Sequence, residues 1–121
     1  MKKLMVLMSL LFVVASYSSV YAHTKPKLSG HTFTSEYGET LDFYDDYVIY
    51  KAEGADSRKG DWKLGSITNI GSPMYCEITI NIYISDRMVT MKGRVEYYRD
   101  GELLRLKLSN GRDSSTWKFS Y

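Results

Sequence analysis

Met74-Tyr75-Cys76-Glu77-Ile78-Thr79-Ile80-Asn81-Ile82-Tyr83-Ile84 is the stretch on which the fold turns. Cys76, Ile78, Ile80, Ile82 and Ile84 share one face at a strict period of two. Tyr75, Glu77, Thr79, Asn81 and Tyr83 share the other. Successive side chains of a strand point to opposite faces. A β-branched apolar face sustained at this period has no helical reading. Residues 74–84 therefore read as a strand with one side in a core and one in water.

Toward the C-terminus, Ser85-Asp86 turns the chain into Met88 to Tyr98. There Val89, Met91, Gly93, Val95 and Tyr97 alternate with Thr90, Lys92, Arg94, Glu96 and Tyr98, which puts Glu77 and Glu96 on solvated outer faces. Arg99-Asp100-Gly101-Glu102 holds the Asp-Gly pair that a type I′ hairpin prefers. Leu103 to Leu108 directs Leu104, Leu106 and Leu108 one way and Arg105 and Lys107 the other. After the Asn110-Gly111 turn, Thr116 to Tyr121 carries Trp117, Phe119 and Tyr121 in phase.

Toward the N-terminus the pattern is less regular. Gly65 to Pro73 reads as a longer loop or a broken strand, Asp61 to Leu64 as a short strand, and Gly54 to Gly60 as a polar loop. Tyr47 to Ala52, Thr40 to Tyr44 (with Leu41 and Phe43) and His31 to Tyr37 (with Phe33) complete the series, after a polar lead from His23 to Lys27. About eight strands joined by short turns is the spacing of an all-β sandwich or barrel. Sequential hairpins make an antiparallel up-and-down barrel the economical way to remove both edges. The expected interior (Phe33, Leu41, Phe43, Trp62, Leu64, the isoleucines, Leu104, Leu106, Trp117 and Phe119) is bulky enough to fill a small barrel, which favours a packed core over a cavity.

The first residues read as an address. Met1-Lys2-Lys3 is cationic, Leu4 to Val14 is apolar except for Ser9, and small residues lead to Val20-Tyr21-Ala22. Val20 and Ala22 stand where a signal peptidase takes small residues, so residues 1–22 are expected to be a signal peptide and residues 23–121 one exported domain, periplasmic or secreted. The apolar run is shorter than the roughly 20 residues that span a bilayer. No stable membrane insertion is expected after cleavage.

With Lys2 and Lys3 removed from the 16 Lys+Arg, the basic residues equal the 14 acidic ones. No run of like charge is longer than two side chains, which disfavours nucleic acid and anionic membranes as partners. An apolar share of 44% and a charged share of 25% fit a globular domain rather than disorder. One cysteine excludes an internal disulfide framework and a Cys-rich zinc site.

Leu28-Ser29-Gly30-His31-Thr32-Phe33 resembles the Leu-x-Gly-x-Trp opening of small bacterial exported lipocalin-like domains of the calycin type, with Phe33 near the place of the Trp. Leu41-Asp42-Phe43-Tyr44-Asp45-Asp46-Tyr47-Val48 resembles that family's second signature. Gly60-Asp61-Trp62-Lys63-Leu64 resembles its Gly-x-Trp-x-apolar strand. The resemblance covers roughly residues 28–64, and the C-terminal half shares only the strand rhythm. It implies a calycin-type barrel that binds an apolar ligand, with Phe33, Phe43 and Trp62 as candidate ligand-binding residues. It transfers no catalytic residue.

Catalytic and metal chemistry find little footing. Cys76 shares a face with isoleucines, the setting of a buried, inert thiol, although a lone Cys in an exported chain leaves an intermolecular disulfide open. No Gly-x-Ser-x-Gly elbow occurs. Asp45-Asp46 reads as a hairpin tip with both carboxylates in water. His23, as a mature N-terminus, could chelate copper, but only His31 is available as a second imidazole. No cofactor and no metal site are expected.

The outward tyrosines (Tyr75, Tyr83 and Tyr98, with Tyr44 and Tyr47) have the chemistry of recognition surfaces. They also have the chemistry of ordinary strands. The leading expectation is a non-enzymatic lipocalin-like binding protein for a small apolar ligand or a protein partner. The alternative is a small secreted inhibitor of a hydrolase, such as lysozyme or a protease, acting through Gly54 to Gly60.

Overall fold

The computed structural model describes residues 24–120. The expected signal peptide, His23 and Tyr121 lie outside the described residues. The strands in chain order are β1 (Thr32–Ser35), β2 (Thr40–Phe43), β3 (Val48–Lys51), β4 (Arg58–Asn69), β5 (Met74–Ile84), β6 (Arg87–Tyr97), β7 (Leu103–Ser109) and β8 (Ser114–Ser120). Each pairs antiparallel with the next, and β8 returns to pair with β1, so the sheet closes into an up-and-down barrel. No helix occurs among the described residues. The all-β barrel read from the strand rhythm is the fold.

β5 keeps its period of two over its whole length. Met74, Cys76, Ile78, Ile80 and Ile82 are buried, while Glu77 and Tyr83 are exposed. Phe33, Leu41, Phe43, Val48, Val95, Leu106, Leu108 and Trp117 meet them from the other strands and fill the interior. At the end where β1 begins and β6 finishes, the lead segment folds inward. Pro26 and Leu28 are buried while Lys25 and Lys27 stay exposed, so the lead expected to be polar from His23 to Lys27 in fact buries Pro26. Gly30 donates its N–H to the Phe43 carbonyl at 2.7 Å, which holds this segment against β2.

β4 begins earlier and ends later than the sequence pattern suggests. Arg58, Lys59 and Gly60, expected in a loop, pair with Tyr50, Ile49 and Val48, and the strand runs on to Asn69 through the stretch expected to be loop. Its register with β5 slips between Leu64 and Ile67 and again between Ile67 and Asn69. Each slip inserts residues that have no partner, which breaks the alternation that marks a strand.

The turns are also redistributed. The two consecutive positive-φ residues of a type I′ turn are Ser85 (φ 49°) and Asp86 (φ 63°), because β5 and β6 pair up to Ile84 and Arg87 and leave two residues to reverse the chain. At Asp100-Gly101, where that turn was expected, only Gly101 has positive φ (95°). Gly101 donates to the Tyr98 carbonyl at 2.9 Å and Tyr98 to the Glu102 carbonyl at 2.9 Å, the wider loop that ends in a glycine bulge. A further slip between Glu96 and Tyr97 on β6 leaves Leu103 buried and Leu104 only half-buried, the reverse of the expected facing.

Candidate functional site

Phe33, Phe43 and Trp62 are brought together. The Phe33 and Phe43 rings meet edge to face at 5.7 Å and 90°, and Phe43 meets Trp62 at 5.3 Å and 89°. Phe119 adds a third edge contact to Phe33 at 5.8 Å. Phe33 and Phe43 are fully buried and Trp62 half-buried, so these rings pack on one another inside the wall and line none of the clefts described below. Trp62 has a structural duty as well. Its Nε1–H donates to the carbonyls of Tyr44 at 2.9 Å and Tyr47 at 3.2 Å. The β3–β4 ladder ends at Val48 and Gly60, and the indole carries that seam on to the β2–β3 turn.

The barrel mouth, opposite the Leu28 end, holds a cleft of about 410 Å³ between the β1–β2 turn, β6 and the β7–β8 turn. Tyr37, Glu39, Met91, Asn110, Asp113 and Trp117 contribute to its walls. Its polar groups largely satisfy each other. Glu39 accepts from the hydroxyls of Ser35 (3.1 Å) and Tyr50, and Trp117 donates to Ser115 Oγ at 2.8 Å. Burial, and then the hydrogen bond and charge of Glu39, push the Tyr50 phenol up to about 12.

The outward tyrosines separate into two settings. Tyr44 and Tyr47 stack at 4.6 Å with planes 10° apart, and Lys59 Nζ lies 4.5 Å from the Tyr47 ring centre. Beside them a shallow depression of about 630 Å³ is lined by Asp46, Tyr47, Lys59, Gly60, Asp61 and Tyr83, the last 57% exposed. Its β5 rim is stiffened by a chain in which Thr90 donates to Asn81 at 2.7 Å and Asn81 to Asp61 at 2.9 Å. Asp45 and Asp46 are exposed at their turn, as expected. Tyr75 belongs elsewhere, 4.4 Å beneath the Arg94 guanidinium.

That second setting is one the sequence reading missed. Glu96, expected in solvent, is 4% exposed. Arg94 Nε reaches it at 2.8 Å and Arg105 Nε at 3.3 Å. Pairing places Arg94 opposite Lys107, and Arg105 opposite Lys118. The formal neutrality of residues 23–121 thus conceals a cationic outer face on β6–β8. The alternation of Lys92 with Arg94 and of Arg105 with Lys107 was visible in each strand, but nothing in the sequence aligns the two.

Cys76 is fully buried, and burial pushes its thiol up, which matches the expected inert cysteine. Its sulfur lies 3.6 Å from the Glu77 carbonyl and 3.7 Å from that of Gly65. His31 packs edge-on against Phe119 at 5.2 Å. Comparison of the chain with protein-family models, curated protein sequences and solved structures returns no match.

Proposed function

We propose that the chain is a small exported bacterial lipocalin-like protein, non-enzymatic, that binds a protein partner on the outside of its barrel. The supporting observation is the pairing of a filled interior with an exposed aromatic depression. Phe33, Phe43 and Trp62 spend their surface on each other, and the mouth cleft is walled mainly by polar groups, so the apolar-ligand form of this reading has the weaker support. Tyr44, Tyr47 and Tyr83 present rigid, amphipathic area at low entropic cost, the composition that recognition surfaces favour.

Affinity capture from the exported fraction of the host, run side by side with wild type and a Tyr44→Ser/Tyr83→Ser double variant, tests the reading. A partner retained by wild type and lost by the variant supports it. Equal retention, or an apolar small molecule found by native mass spectrometry in the purified protein, overturns it. A second reading, a hydrolase inhibitor, draws on the uninterrupted exposure of Glu53 to Lys59. Inhibition of lysozyme or a protease that vanishes when Gly54 to Ser57 become Gly/Ser would select it instead.

A further inference from the structure

We propose that the outer face of β6, β7 and β8 docks an extended acidic segment of a protein partner, with an apolar residue of that segment seated between β7 and β8. The inference rests on the protein-partner reading and adds to it a second contact face, on other strands than the aromatic depression, with its own chemistry.

Strand register sets like charges against each other on this face. Like charges directly opposite each other across a sheet are destabilising, yet Arg94 faces Lys107 and Arg105 faces Lys118. Glu96, buried beneath, is shared between the two guanidiniums, and Glu77 at the β5 border stands opposite Arg94. Among the described residues Lys92, Lys107 and Lys118 make no ion pair. An anionic partner would relieve a repulsion that the fold carries at a cost to its own stability.

The spacing of these side chains matches that of an extended chain. Outward side chains recur every second residue, about 6.6–6.8 Å along each strand. An extended peptide with acidic residues at alternate positions repeats at the same interval.

A cleft lies at the end of the cationic rows. The β7–β8 ladder stops at the Arg105–Lys118 pair, and beyond it the seam opens into about 440 Å³. Leu103, Leu104 and Phe119 give the opening apolar walls, Arg105 and Lys118 stand beside them, and Glu102 lies at the loop margin. The site therefore suits an anion that adjoins an apolar group.

Other polyanions fit less well. Single-stranded nucleic acid needs ring faces on which bases stack, whereas the Tyr75 ring is covered by Arg94. A bilayer needs apolar side chains that protrude, and Leu104 and Phe119 are half-buried in the seam. The large exposed apolar side chains (Tyr37, Tyr44, Ile70, Tyr83 and Met88) belong to the β5–β6 hairpin tip and the turns.

The test is fluorescence anisotropy with the full-length exported protein and a short labelled peptide of alternating Glu and Thr that ends in Leu. Its counterpart carries Gln for Glu. The expected result is binding of the Glu peptide that weakens with salt, at least tenfold weaker binding of the Gln peptide, and at least tenfold loss in Lys107→Glu/Lys118→Glu. Lys107→Gln/Lys118→Gln, which introduces no new charge, is expected to show a smaller loss in the same direction. Leu104→Ala should weaken the peptide ending in Leu and leave one ending in Thr unchanged. Equal binding of the Glu and Gln peptides, or tighter binding of oligothymidylate or of phosphatidylglycerol–phosphatidylcholine vesicles, overturns the proposal. So does wild-type affinity in both lysine variants. A partner captured by wild type and equally by the lysine variants sinks this inference alone. Failure of all capture sinks the protein-partner reading, while the peptide measurement still decides the face.

Discussion

Tyr97 donates its hydroxyl to the Thr24 carbonyl at 2.9 Å, joining residues 73 positions apart. Tyr97 is the last residue of β6 and is 2% exposed, so its phenol reaches the barrel end from inside. Thr24 opens the segment whose Pro26 and Leu28 turn into that end. The bond ties the lead segment to the far side of the sheet, and the burial of Leu28 supplies the apolar contact that makes the tie worth its ordering entropy.

Tyr97→Phe keeps the ring and removes the bond. A loss of about 1 kcal/mol in denaturant unfolding is expected, the usual net worth of one hydrogen bond. Hydrogen exchange should accelerate at Gly30 and His31, whose N–H groups hold the segment, and stay slow in β5. Unchanged protection at those two amides would show that Leu28 alone holds the end closed.

Alkaline stability should follow two phenols. Burial raises Tyr97 to about 12, and burial together with Glu39 raises Tyr50 to about 12. An unfolded tyrosine titrates near ~10. The folded state therefore holds protons that the unfolded state releases, so this stability is complete below pH ~10 and is lost as pH rises through ~12. Urea midpoints measured across that window should fall in wild type, and the fall should be shallower in Tyr50→Phe/Tyr97→Phe.

Gly93 sits where β6 passes close to β7. A Cβ there would lie 1.8 Å from the Lys107 carbonyl oxygen, a backbone atom that cannot step aside. Gly93→Ala is expected to cost about 3 kcal/mol, the upper range for overpacking. Gly101→Ala meets nothing within 4 Å and suffers only its φ of 95°, so about 1 kcal/mol is expected. Chemical denaturation of the two variants gives the order directly, and an equal cost would mean that β6 and β7 can move apart.

Cys76 should resist thiol reagents in the native protein. Its fully buried position and raised thiol leave little thiolate in reach of solvent. Labelling should proceed at the rate of global opening and become immediate in denaturant. Fast native labelling, or a disulfide-linked dimer under oxidising conditions, would place the sulfur at the surface and revive the intermolecular disulfide.

Much of the barrel was legible in the sequence wherever alternation ran unbroken. β5 was readable end to end, and Trp117 and Leu106 declared their side. Legibility failed where the ladder slips. The bulges of β4 made Gly65 to Asn69 look like loop, and the slip beside Tyr97 exchanged Leu103 for Leu104. Phe33, Phe43 and Trp62 were read as candidate ligand-binding residues, and the structure shows only that their rings meet, Phe43 reaching Trp62 past the intervening strand β3. That their rings close on each other, away from the mouth cleft, depends on rotamers and barrel tilt that no periodicity encodes.

By itself, then, the sequence determined a barrel of sequential antiparallel strands, because a period of two and turn chemistry are local and survive without knowledge of neighbours. Tertiary structure alone decided which charges stand together. Arg94, Lys107, Arg105 and Lys118 come from three strands whose order along the chain says nothing of their register, and a shift of one residue would have turned each row to the other face. Net charge is a sum and does not depend on the fold, whereas a cationic face is an arrangement and exists only once the strands have paired.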